Sequence, residues 1–149
     1  MNRLEAEVRA KGMTVFARID HAAGARAAGL SLRPTEVLIF GNAKAGTPPM
    51  QSVQTVGIDL PLKALVWQDS SGDTWLSYND PAWLAQRHGV SGETAAAIST
   101  MTAALGAVAK AATTGSPSNN RDHFIWPSNL AAPLPVFDSR SSASRPPAA

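Results

Sequence analysis

The hydrophobic period changes several times along the chain, and each change predicts an element. Leu4 and Val8, four apart among Glu5, Glu7, Arg9 and Lys11, predict an amphipathic helix over residues 2–11, with Gly12 placed to end it. The β-branched and aromatic run from Thr14 to Ile19 predicts a strand. Asp20 then offers an N-cap carboxylate to a short, alanine-rich helix through Ala28, which Gly29 would stop. After Pro34, the continuous apolar run Val37-Leu38-Ile39-Phe40 predicts a strand over 35–40, of the kind covered on both faces. Gly41 to Gly46 reads as a loop. Thr47-Pro48 reads as a helix start, because proline in the first turn forfeits only an N–H that has no partner there.

Leu62 to Gln68 and Thr74 to Tyr78 predict two strands joined by the turn residues Asp69-Ser70-Ser71-Gly72-Asp73, the clearest hairpin in the sequence. Asp80-Pro81 repeats the cap-and-proline device for a helix ending near Gly89. A last helix from Ser91 carries the stripe Ile98, Met101, Leu105, Val108 and should stop at Gly115. These elements give an α+β fold over residues 1–112, a two-layer sandwich of a small twisted mixed sheet with helices packed on it. From 113 to 149 the periodicity is lost and six of the eleven prolines gather, which predicts a Pro/Ser-rich disordered tail.

Composition narrows the function. The 149 residues are 44% hydrophobic and 16% charged, with 13 basic against 11 acidic side chains. The basic residues are scattered, so a nucleic-acid partner is not expected. With no cysteine, disulfides, thiolate nucleophiles and Cys-ligated metals are excluded, and the three histidines are too few for a His-rich metal site. No apolar run suggests a membrane span, and Met1-Asn2-Arg3-Leu4-Glu5 is not a secretory leader, so the expectation is a cytoplasmic protein without a membrane partner.

Three groups of residues, in order, carry a family resemblance: Thr14 to Ala23, Leu38 to Asn42, and Gly57-Ile58-Asp59-Leu60-Pro61-Leu62-Lys63. With Tyr78-Asn79-Asp80-Pro81-Ala82-Trp83-Leu84 they resemble the domain of unknown function 302 family over roughly residues 2–112. The resemblance implies a small two-layer domain, often a homodimer; it names no activity, and the cofactor is left unknown. Members usually carry a further strand ahead of the first helix, so this sequence reads as an N-terminally truncated copy with a non-family tail.

Candidate chemistry follows from one topological expectation. The fourteen residues between the first two strands are enough for a right-handed parallel crossover. A parallel pair would bring Asp20 and His21 to the same sheet edge as Gly41 and Asn42, where open α/β sheets bind ligands. Lys44 and the helix start at Thr47 lie beside that edge, and together they suggest a cradle for a small molecule or anion. The stretch Gly41 to Thr47 echoes a phosphate-binding loop but lacks its lysine, and Pro48 has no N–H to give. His21 is the candidate acid–base group, with Asp59 or Asp20 as its partner. Trp67 and Trp75 flank the hairpin turn and suggest a cross-strand pair or an interface.

The expected function is a non-catalytic ligand-binding or interaction module with a crevice near His21 and Asn42. The alternatives are an enzyme using His21 as general acid–base, and a truncated copy without independent function.

Overall fold

The computed structural model describes residues 1–90 and 92–114. Five α-helices accompany one sheet: α1 (Asn2–Ala10), α2 (His21–Ala27), α3 (Ala43–Ser52), α4 (Pro81–His88) and α5 (Ala95–Thr113). The strands are β1 (Thr14–Asp20), β2 (Thr35–Gly41), β3 (Leu62–Gln68) and β4 (Thr74–Tyr78), in spatial order β1-β2-β3-β4. Single 3₁₀ turns occupy Gln54–Ile58 and Gly92–Thr94. This is the expected α+β fold, helices packed on a sheet. The expected start of the last helix at Ser91, its stop at Gly115 and the tail beyond lie outside the described residues.

Local chemistry sets most boundaries. Asp20 caps α2 by accepting the Ala23 N–H at 2.8 Å, and Asp80 caps α4 by accepting the Ala82 N–H at 2.8 Å. Gly89 ends α4 at φ 67°, a left-handed conformation that a side chain would resist. In the hairpin, the Asp69 carboxylate accepts the N–H groups of Ser71 and Asp73 and the indole N–H of Trp75 at 2.7 Å. The helix expected at Thr47 instead starts at Ala43, because the Asn42 side chain accepts the Lys44 N–H at 2.8 Å and acts as the cap. Pro48 and Pro49 therefore sit inside α3, and Pro49 is fully buried.

The sheet is antiparallel throughout, not mixed. β1 pairs with β2 from Thr14↔Gly41 to Asp20↔Glu36, with a bulge between Val15 and Ala17. The fourteen-residue connection thus closes a long hairpin in place of a crossover. α2 turns back over the strand end, and Arg18 Nε donates to Glu36 Oε2 at 2.6 Å across the pair.

Burial is one-sided. On one face, Leu38 and Phe40 of β2, Leu62 and Ala64 of β3 and Leu76 of β4 are buried. They pack with Leu4 and Val8 of α1, Leu84 of α4, and Met101, Leu105 and Val108 of α5. Val37 and Ile39, expected to be covered, alternate to the other face and stay outside that core. A run of four apolar residues does not distinguish a doubly covered strand from a half-covered one.

Candidate interaction face and polar cluster

The antiparallel register separates the expected ligand residues. Asp20 is opposite Glu36, whereas Gly41 is opposite Thr14, so the two groups stand at opposite ends of the strand pair. Five residue steps at ~3.3 Å each put them roughly 17 Å apart along the sheet. The single crevice expected near His21 and Asn42 is therefore not formed. Asp20 spends its carboxylate on the α2 cap, and His21 opens that helix on the surface. At the other end, Gly41 is buried, and a Cβ there would lie 3.4 Å from the Pro61 Cβ. Asn42, Lys44 and Thr47 are exposed on the approach to α3 and along it. The Lys44 N–H, which an anion cradle would need, is already taken by Asn42.

Asp59 has a partner, but not His21. His88, the last residue of α4, places Nε2 2.6 Å from Asp59 Oδ2, and Arg87 Nη1 approaches the same oxygen at 3.3 Å. The carboxylate can only accept, so Nε2 is the donor, and Nδ1 faces the Thr55 hydroxyl at 3.5 Å. His88 and Asp59 side chains are only 11% and 17% exposed. Lys63 Nζ donates to the Asp59 carbonyl at 3.0 Å and the Pro61 carbonyl at 3.3 Å. The cluster ties the end of α4 to the segment that leads into β3. The two residues are 29 apart in sequence, and no local pattern announces the pair. Among the described residues, no group of three or more His, Cys, Asp or Glu could hold a metal ion.

The most distinctive surface is the face of the sheet that α1, α4 and α5 leave uncovered, where Val37, Leu65, Trp67 and Trp75 are half-buried. Its central row runs Ile19, Val37, Leu65, Ser77 across all four strands, and Trp67 faces Trp75 beside it. The two indoles stack at 6.1 Å between centroids with a 21° interplanar angle, which bears out the cross-strand pair expected from the hairpin. Trp67 Nε1 donates to Ser77 Oγ at 2.9 Å and Trp75 Nε1 to Asp69, so both polar edges are satisfied inside the fold. Ile19 is 42% exposed, and Phe16, at the bulge beside this face, is 58% exposed. Alternation in β1, β3 and β4 was the available signal for this face, and the apolar run in β2 masked it.

On the helical side, α5 is long and apolar enough, by length and composition alone, to cross a membrane. That corrects the expectation that no such run exists. In this fold its Met101, Leu105, Val108 and Ala109 stripe is buried in the core.

Comparison with known proteins places these features. The family described as Domain of unknown function DUF302 matches residues 1–108. Relatives that are 51% identical over 110 residues are named Fluoride-specific ion channel FluC 1 in Brucella suis biovar 1 (strain 1330) and in Brucella abortus biovar 1 (strain 9-941). A third, from Brucella melitensis biotype 1, is named Fluoride-specific ion channel FluC 2 at the same identity. Each match covers 74% of this chain but 43%, 41% and 41% of the relatives, so the chain spans about two fifths of their length. A crystal structure of an uncharacterized conserved protein DUF302 from Bacillus stearothermophilus superposes with a TM-score of 0.67 at 20% identity. It is covered over 86% of its length, against 74% of this chain, and shows the same fold. The relatives' names correct the expectations of partner and place. The expected cytoplasmic protein without a membrane partner does not agree with relatives named as ion channels, which work in membranes.

Proposed function

The chain belongs to the DUF302 family of domains of unknown function, and we propose on that premise that it is a non-catalytic interaction module whose partner is a fluoride channel. The observation that carries this reading is the match itself: half the residues are identical across 110 positions to proteins named for that channel. More than half of each relative's length lies beyond the match, so the matched domain there accompanies further chain.

The side chains best suited to chemistry support an interaction role. Asp20 serves as a cap, and Asp59 and His88 hold each other across two elements. His21 stands exposed at the opposite end of the β1–β2 pair from Gly41, beside which Pro61 and the Asp59 segment pack. An acid–base role for His21 therefore has no carboxylate partner in Asp59, and Asp20 is engaged with the backbone.

The test is made in cells that naturally produce the chain. Deleting its gene should slow fluoride efflux, read with a fluoride electrode. The tagged full-length protein should co-purify a fluoride channel from detergent-solubilised membranes. Unchanged efflux together with no channel in the purified material would overturn the reading.

A further inference from the structure

We infer that the uncovered face of the sheet, centred on Ile19, Val37, Leu65 and the Trp67–Trp75 stack, is the surface that docks against the channel; this rests on the function proposed above. Three observations carry it. First, the core helices α1, α4 and α5 pack against the opposite face, and none of Val37, Ile39, Leu65, Trp67 or Trp75 belongs to that core. The apolar row Ile19, Val37, Leu65 crosses three strands and the Trp67–Trp75 stack reaches the fourth, a surface whose burial is favourable.

Second, the face makes few polar demands. Ser77 accepts from Trp67, and the Lys63 ammonium donates to two backbone carbonyls of its own loop. Covering the tryptophans and Ser77 strips water from groups that keep their hydrogen bonds, so their desolvation cost is small. The tryptophans are held by stacking and by their N–H bonds before any partner arrives, which limits the ordering cost of binding. Tryptophan is also the side chain most enriched where a few residues dominate an interface.

Third, the relatives select the occupant. In the relatives the matching segment shares a chain with more than its own length of further sequence. Such a tether holds the remainder at high effective concentration beside the domain. The occupant is therefore the channel polypeptide, presenting apolar side chains to the sheet.

The test places a photo-reactive benzophenone side chain at position 19 or position 39 of the full-length protein, in the cells that make it. A third variant carries it at position 100, exposed on α5, as the control. Illumination should join the chain to the channel from positions 19 and 39 and not from position 100. Adding Leu65→Lys should abolish that cross-link while the circular dichroism spectrum is retained. Ile19→Ser, a residue outside the core, should weaken the cross-link formed from position 39. Channel captured from position 100 alone would leave the functional reading standing and overturn this surface. A cross-link to a second copy of the chain, or to lipid, would assign the face to that occupant and overturn the inference. No channel at any of the three positions would remove both the surface and its proposed partner.

Discussion

Asp69 concentrates more hydrogen bonds on one carboxylate than any capping aspartate in the fold. The Trp75 indole bond, followed by those from the backbone of Asp73, Ser71 and Gly72, holds its carboxyl below the usual carboxylate range. A carboxyl that binds its proton less readily when folded stabilises the native state above its unfolded-state value. That contribution is lost as pH falls through the lower, folded value. The melting temperature of the wild type should therefore fall as the solution is acidified below the carboxylate range. In Asp69→Asn the acid limb of that profile should be shallower and the neutral-pH melting point lower. Parallel profiles for the two proteins would show that the indole bond carries no such linkage. Arg18 shows the complementary effect: the bond to Glu36 favours its charged form while it ties β1 to β2.

Among the elements, the helices differ in how much their own sequence determines them. α2 is seven residues long, well short of what holds together alone in water, and depends on its cap and on the burial of Ala22. Asp20→Ala should cost about 1 kcal/mol in urea unfolding, the usual loss for a carboxylate cap; Asp20→Asn should recover most of it, and equal losses for both would deny the cap its role. The caps at Asp20 and Asp80 and the hairpin at 69–73 were legible because each is decided within a few residues. The start of α3 was not, because Asn42 and Thr47 are both residue types that cap helices, and the fold uses Asn42, whose side chain accepts the Lys44 N–H. The direction of β2 was illegible for a related reason. Fourteen residues can close a hairpin or a crossover, and the choice depends on pairings such as Asp20 with Glu36 that the linear pattern does not contain. The candidate ligand edge was built on that choice and was lost with it.

At the scale of the whole molecule, stability rests on one layer of contacts between the covered sheet face and α1, α4 and α5. Phe40 is fully buried in the middle of that layer. Phe40→Ala should cost roughly 3–5 kcal/mol, by lost transfer energy and the cavity left behind, and denaturant titration would show the loss as a lower midpoint. A change below about 1 kcal/mol would mean that the layer collapses onto the space. The pairing of the first and last helices in this layer was hidden in the sequence, since Leu4 and Val8 lie about a hundred residues from their neighbours on α5. The stripe on α5 itself was plain.

A sheet with one bare face also has two open edges, β1 and β4, among the described residues. Edges of this kind invite other chains to continue the ladder, the route by which β-proteins clump. The bulge between Val15 and Ala17 breaks the even spacing of N–H and C=O groups on β1, and the Arg18 charge lies close beyond it. A strand laid along that edge would fall out of step after a residue or two. The same irregularity that leaves Phe16 exposed thus makes the β1 edge a poor template for a further strand.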